Sequence, residues 1–564
     1  MNAVELAQAL WLLLAALGLA LSVSYAGLPV LGQGAFVAVG GVGTALLGPG
    51  GAGLPLGVAV LLAVVAGGVL GQLVALAASR LDGASLGLAT WALAWLVYRA
   101  LLAFPEVFGG AQGLVRTAPA HLVAPLLGTD LVLTPVVHVV LSGLLCLTAI
   151  AVLIRLGRGP GGSDLLALRQ GPEVAAGLGI PVAARRRAVL TATASVGALS
   201  GAGTVVLLGL VAPADVSPLL SLQLFVAVLI GGAATWWGPV VGVALLTALP
   251  LALDVFPVDT ERLSGLLTAG LLIAVLLIRR ALRQAPHPSP GRTAAITLPP
   301  VARESIWRPS LLNAENVCVR FGSVRALEDV GIVLRGGQVH ALIGPNGSGK
   351  TTLLRVLAGD LVPGSGVVTV GGRPLVEQGG PAARVRVGVV RTPQRTSVLR
   401  TTAMRQVAIG RRGGSRPRYA VLRHLLATPN AARAERSSEH VVHAALDCTD
   451  LLAAAEVDAT TLTVAEQRRV QIARAVATGA EVLLLDEPAA GMSATERAHF
   501  ADVVRRLAGN GLAVLLVEHD MRLVSDVADR VTVLAEGHVI ATGSPVEVQA
   551  DPEVRRAYLG TALA

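Results

Sequence analysis

Apolar residues run almost unbroken through the first half of this chain and alternate with polar ones through the second. Within residues 1–284, nine stretches are apolar over the length a bilayer-crossing helix needs: 8–25, 28–47, 54–78, 86–104, 133–154, 186–213, 218–233, 237–256 and 263–281. Two of them, 28–47 and 218–233, are short and rich in glycine. That pattern suits broken or re-entrant segments lining a solute path, and equally suits close helix packing through small residues. From residue 305 the charges return. Ala314–Leu334 alternates as strands do, whereas Val482–Leu485 and Leu512–Val517 are short continuous apolar runs, the mark of parallel strands buried on both faces. Residues 284–305 are rich in proline and small polar residues and read as an extended connection. The predicted architecture is multi-domain: a polytopic α-helical membrane domain over 1–284, a linker over 285–308, and an α/β domain over 309–564.

Composition sharpens this division. Of 564 residues, 53% are hydrophobic and only 14% charged, too apolar for a soluble protein of this size. The net charge of +9 would suit nucleic acid, but the arginines cluster beside apolar runs rather than in one basic stripe. They predict membrane topology and no nucleic-acid partner. Arg155, Arg158, Arg169, Arg185, Arg186 and Arg187 mark 155–187 as cytoplasmic, and Arg279, Arg280, Arg283, Arg292 and Arg303 mark 279–303 likewise. With nine spans the N-terminus and 105–132 then lie outside. No basic stretch precedes the first apolar run, so no cleaved signal peptide is expected. Cys146, Cys318 and Cys448 are scattered without metal spacing and read as buried thiols in a reducing compartment.

Forty-four of the 45 basic residues are Arg; the single Lys is Lys350. It stands in Gly344-Pro345-Asn346-Gly347-Ser348-Gly349-Lys350-Thr351-Thr352, between a strand-like and a helix-like run, and fits a phosphate-binding loop. Glycines let backbone amides converge on phosphates, and the following helix offers its positive end. A compact ammonium reaches between the β- and γ-phosphates where a planar guanidinium is too wide. Thr351 would give its hydroxyl to Mg²⁺. Asp486, at the end of an apolar run, would hold Mg²⁺ directly or through water, and Glu487 would orient or polarise the attacking water. His519, at the end of the next run, could contact the γ-phosphate. Gln394, in a loop between, could reach Mg²⁺ and sense the membrane domain. Phe321 precedes the phosphate loop, where an aromatic can stack on adenine.

The ordered set Phe321, GPNGSGKTT, Gln394, LTVAEQRRVQIARA, LLLDEP and VEHD resembles the ATPase domain of ABC transporters. RTPQ, a helical insertion near 416–455, LLLDEPAAGM, VEHDM and IATGSPVEVQADPEVRRAYLG narrow the resemblance to an ATPase subunit of the branched-chain amino acid importer family. SYAGLPVLGQGAFVAVGGVGTALL, FGGAQGLVR, RLGRGPGGSDLLALRQGPEVAAGLGI and LIGGAATWWGPVVGVAL resemble that family's permease. The chain thus resembles a natural fusion of permease and ATPase, with the phosphate-loop domain carrying a helical subdomain. The resemblance implies ATP and Mg²⁺ as cofactors, and a bacterial cell membrane with the ATPase domain in the cytoplasm. It also implies four partners: a second permease, a second ATPase, a solute-binding protein and a small polar solute. The family's substrates are branched-chain amino acids, with urea, short amides and organic acids among relatives.

Two departures stand out. The family signature L-S-x-G-Q is here Leu462-Thr463-Val464-Ala465-Glu466: Ala465 adds a Cβ where backbone should approach phosphate, and Glu466 adds negative charge. Pro393 stands where the family commonly has Phe. In this family two ATPase domains sandwich two nucleotides, each site pairing one domain's phosphate loop with the other's signature. Two copies of this chain would put LTVAE in both sites, so a heterodimer is expected. Asp164–Ile180, with Leu165, Leu168 and Val174 apolar and Arg169 and Glu173 four apart, is expected to be a helical docking stretch for the ATPase. Two other readings fit part of the pattern. Fusion is common in exporter half-transporters, although those have about six long helices reaching into the cytosol. A degenerate signature also suits a non-transporting ATPase that regulates a channel.

Overall fold

The computed structural model describes residues 2–77, 81, 83–115, 121–124, 129–158, 160–231, 235–253, 270, 274, 277, 311–375, 380–394, 398, 401–411 and 429–559. The chain divides into two compact units, Met1–Arg169 with Val182–His287, and Gln170–Pro181 with Pro288–Ala564.

The first unit is helical. Helices α1 (Ala3–Ala20), α2 (Gln33–Leu47), α3 (Leu56–Ala77), α4 (Gly83–Ala103), α5 (Pro135–Arg158), α6 (Pro160–Gln170), α7 (Pro172–Gly177, which belongs to the second unit), α8 (Val182–Leu208), α9 (Pro218–Gly231) and α10 (Trp237–Leu253) follow in order. Among the described residues five helices are long and apolar enough to cross a membrane, α1 with its continuation to Tyr25, α3, α4, α5 and α8; α2, α9 and α10 are shorter and apolar. Eight of the nine expected stretches are therefore helical. The ninth, 263–281, lies outside the described residues except for Gly270, Ala274 and Leu277.

Asn2 and Glu5 cap the start of α1 reciprocally. Its end loosens into a π-helical turn, Leu21–Tyr25, before the irregular stretch that leads to α2. The glycines of α2 serve close packing: a Cβ on Gly40 would stand 1.9 Å from the Ala198 carbonyl oxygen, and one on Gly201 of α8 would stand 1.9 Å from that of Val37. Outward-facing apolar side chains remain on α3 (Leu61, Val65, Leu73), α4 (Leu88, Leu96) and α5 (Val140, Leu147), a surface for lipid tails. Asp164, almost wholly buried, pairs with Arg185 at 3.0 Å.

The expected single helix over Asp164–Ile180 is corrected to two. Gly171, at φ 142°, separates α6 from α7, because the residue before Pro172 is sterically driven out of the helical region. Arg169 and Glu173 therefore do not share a helix face. Leu165, Leu168 and Val174 are buried.

The second unit holds two sheets. Strands β1 (Leu311–Phe321), β2 (Val324–Arg335), β4 (Ser365–Val370) and β5 (Arg373–Pro374) form an antiparallel sheet in the order β2-β1-β4-β5. Strands β3 (Val339–Ile343), β6 (Val389–Arg391), β7 (Val482–Asp486), β8 (Ala513–Val517), β9 (Arg530–Ala535) and β10 (His538–Gly543) form the other in the order β6-β7-β8-β3-β9-β10, parallel except for β9 with β10. Every residue of β3, β7 and β8 is buried, which is why these segments read as continuous apolar runs. One core joins the two sheets through Leu353, Leu354 and Leu357 of helix α11 (Lys350–Ala358). Another packs α12 (Gly380–Arg386), α13 (Ala403–Gly410), α14 (Pro429–Cys448), α15 (Val464–Val476) and α16 (Ala494–Gly509) on the opposite face of the parallel sheet. Helix α14 lies within the expected helical insertion near 416–455, of which 416–428 are outside the described residues.

Candidate nucleotide site

The parallel register places the candidate chemistry on one edge. Asp486, Val517 and Leu342 lie side by side across β7, β8 and β3, so the residues that follow each strand emerge together at their C-terminal ends. That edge is where open α/β sheets bind ligands. After β3 comes the loop Gly344–Gly349 and then α11. Gly344 has φ 149°, and a Cβ there would stand 2.0 Å from the Leu534 carbonyl oxygen, so only glycine fits. Gly347, at φ 81°, has open space where its Cβ would be, room for a phosphate to approach backbone. The buried Ser348 hydroxyl has no hydrogen-bond partner. An open backbone cradle with an orphaned polar atom fits a phosphate ligand.

Lys350 donates from Nζ to the carbonyl oxygens of Gly344 at 2.8 Å and Pro345 at 2.7 Å, so its ammonium lies folded over the loop. Burial lowers its pKa, while Glu487 and Asp486 pull the other way. Thr351 is exposed beside it. Glu487 sits in the left-handed region at φ 43°, its N–H donating to the Val517 carbonyl at 3.0 Å. Gln394 donates from Nε2 to Glu487 Oε2 at 3.3 Å. Arg468 of α15 fixes the Gln394 loop by donating to the carbonyls of Pro393, at 3.0 Å, and Gln394. Asp486, 4% exposed, accepts from Arg391 at 2.9 Å. With the Asp486 carboxylate and the Thr351 hydroxyl as oxygen donors, the edge has the chemistry of an Mg²⁺ site.

The structure thus brings Lys350, Asp486, Glu487 and Gln394 together. His519 follows β8 on the same edge with its ring exposed. Phe321 ends β1, 47% exposed, paired with Val324 at the start of β2. Thr463, Ala465 and Glu466 sit apart at the start of α15, where they border a cavity of about 190 Å³ with Arg469 and His499. The Ala465 methyl is buried in the helical core while it borders that cavity. Glu466 closes the helix end: its Oε2 accepts from Thr463 N–H at 2.9 Å while Thr463 Oγ1 accepts from Glu466 N–H at 3.2 Å.

In the sequence Glu518 reads only as part of the polar end of β8. Its side chain is buried, and its two oxygens accept from the N–H of Ala489 at 3.0 Å and of His519 at 3.3 Å. Burial raises its pKa; the two amides and His519 oppose that, and Glu487 adds to it. One carboxylate therefore ties the turn after Glu487 to the His519 loop. The signal was available, since a Glu abutting a fully apolar strand is buried and needs partners. Glu518→Gln should lower ATP turnover by about tenfold, the worth of one charge-assisted hydrogen bond, with KM for ATP within about twofold. Steady-state ATPase assays on the full chain in its complex check this; an unchanged kcat would show the tie to be dispensable.

A profile described as ABC transporter matches residues 327–490, one described as the permease component of the branched-chain amino acid transport system matches 5–276, and one described as branched-chain amino acid ATP-binding cassette transporter matches 538–564. The high-affinity branched-chain amino acid transport ATP-binding protein LivG of Salmonella typhimurium is 36% identical over 255 residues, 45% of this chain and 98% of LivG. The chain belongs to the branched-chain amino acid ABC transporter family. The corresponding protein BraF of Pseudomonas aeruginosa is 34% identical over the same share of this chain and 98% of its own length. A solved ATP-binding cassette of an ABC transporter in its ADP conformation is 29% identical, covering 44% of this chain and 99% of that one, with a TM-score of 0.39. This ABC transporter chain is a fusion of permease and cassette, and the cassette is a transport ATPase.

Proposed function

We propose that the chain is the permease–ATPase subunit of an importer for branched-chain amino acids or a related small polar solute in a bacterial cell membrane. Its domains would be 1–284, 285–308 and 309–564, the linker lying outside the described residues. The observation that carries the reading is the meeting of the phosphate loop, Asp486–Glu487 and Gln394 at one sheet edge in a chain that also holds the permease. The longest described apolar helix, α8, has 27 residues, about 40 Å, and so crosses a bilayer without a deep cytosolic extension. That favours import over the exporter reading.

In the proposed cycle Lys350 releases its loop carbonyls and turns its ammonium to the β- and γ-phosphates, while the loop amides hold the phosphate oxygens. Thr351 and Asp486 would hold Mg²⁺, which supplies charge neutralisation on the phosphates. Glu487 accepts a proton from the water that attacks the γ-phosphorus, and the bond to the bridging oxygen breaks with ADP leaving. Gln394 and His519 steady the γ-phosphate side, and Phe321 stacks on adenine. Thr463 and Glu466 serve a partner's nucleotide.

The segment Gln170–Pro181 supports coupling. Within its unit Gln170 accepts from Arg474 at 2.5 Å and donates to Gln406 at 2.7 Å, and it borders a cavity that Arg391, Pro393 and Gln394 also line. Arg474 is fully buried and burial lowers its pKa to about 10. Purification of the complex from its native membrane is expected to yield a second permease and a second cassette. A complex of this chain alone that transports would overturn the reading.

A further inference from the structure

We infer that Arg391 is a positioning residue that bridges Asp360 and the metal-binding carboxylate Asp486 until Mg²⁺ arrives with nucleotide, and that its release from Asp486, with Asp360 retained, passes metal occupancy to the Gln394 loop. The inference rests on the proposed role of Asp486 as metal ligand.

Arg391 ends β6, next to β7 in the parallel sheet, with Arg391 in register with Leu484. One of its terminal nitrogens donates to Asp486 Oδ2 at 2.9 Å and the other to Asp360 Oδ2 at 2.8 Å. Asp486 is nearly sealed from solvent, whereas the Asp360 side chain is 32% exposed. A buried carboxylate needs a countercharge, and here the guanidinium supplies it. Mg²⁺ needs the same oxygen lone pairs, and two cations on one carboxylate oxygen repel. Metal and Arg391 therefore compete for Asp486.

Asp360 offers a second resting place. It lies just past the end of the phosphate-loop helix α11, its N–H donating to the Arg355 carbonyl at 2.8 Å. When Asp486 turns to metal, Arg391 keeps Asp360 and loses its hold on β7. Arg391 is followed directly by Thr392, Pro393 and Gln394, and Arg468 grips the carbonyls of the last two from α15. A change at Arg391 thus reaches the loop through three bonded residues. The bridge also explains why a guanidinium stands here: its fork serves two carboxylates at once, which an ammonium on a flexible stem does less well.

The test is Mn²⁺ binding, read by electron paramagnetic resonance on the full chain in its complex with a non-hydrolysable ATP analogue. Arg391→Gln removes the competing cation and should tighten Mn²⁺ about 3- to 10-fold, as expected for an ion pair at a partly buried site. Asp360→Asn removes the alternative partner, leaves Arg391 wholly on Asp486, and should weaken Mn²⁺ by about threefold on the same grounds. Arg391→Lys retains the charge and should stay within about twofold of the parent. Opposite shifts from the first two variants support the inference, since general damage to the fold weakens binding in both. Unchanged or weaker binding in Arg391→Gln, or shifts of one sign in both, overturns it. Asp486→Asn separates the underlying reading: if it leaves Mn²⁺ binding at the parent level, Asp486 is no ligand and both fall. If it abolishes binding while Arg391→Gln fails to tighten it, only the role of Arg391 falls.

Discussion

Glu487→Gln should lower ATP turnover by about 10²- to 10³-fold while leaving ATP binding intact, because an amide cannot accept the proton of the attacking water. The geometry separates this role from that of the phosphate loop. Glu487 is held in a left-handed conformation at the end of β7 and accepts from Gln394, while its N–H is fixed to β8. The substituted amide keeps that shape and offers an oxygen to Gln394. Lys350→Ala should behave in the opposite way. It removes the charge that meets the β- and γ-phosphates, so nucleotide affinity itself should fall by at least about tenfold. Fluorescent-nucleotide titration beside single-turnover hydrolysis distinguishes the two. Parent-rate turnover in Glu487→Gln would remove Glu487 from the catalytic role.

The second large effect concerns the signature. Glu466→Gln should raise steady-state ATP turnover of the heteromeric complex by about fivefold, the equivalent of about 1 kcal/mol for one charge at a helix N-terminus. Thr463 and Glu466 cap each other, so the amide end that would face a partner's γ-phosphate carries a carboxylate. A glutamine can keep the capping bond to Thr463 without the charge. Because the Ala465 methyl is buried, Ala465→Gly alone should change turnover less than about twofold. Full restoration of Leu-Ser-Val-Gly-Gln at 462–466 should match Glu466→Gln. An unchanged rate in the restored complex, with equal losses from removing either site's catalytic carboxylate, would show two equivalent sites.

These expectations draw unequally on the sequence. The phosphate loop was legible because its chemistry demands fixed glycine spacing, and Lys350 stands out in a chain otherwise built on arginine. The strands β7 and β8 were legible because burial on both faces leaves no polar positions. The bridge from Arg391 to Asp486 was not, since it depends on β6 lying beside β7, a neighbour relation that no local pattern encodes. The direction of Ala465 was also hidden: which face of α15 it joins depends on where that helix begins, and Thr463 sets that start. The break between α6 and α7 is written in Gly171-Pro172, which overrides the apolar periodicity that runs across it.

This permease and this cassette together are expected to move solute inward at the expense of ATP. The direct measurement is uptake of radiolabelled leucine by vesicles that carry the chain with a second permease, a second cassette and a solute-binding protein. ATP is sealed inside with the cassettes, and leucine and the binding protein are outside. Accumulation that requires ATP and is lost in Glu487→Gln is expected. ATP-driven loss of preloaded solute, or accumulation that persists in Glu487→Gln, would rule out ATP-driven import by this chain.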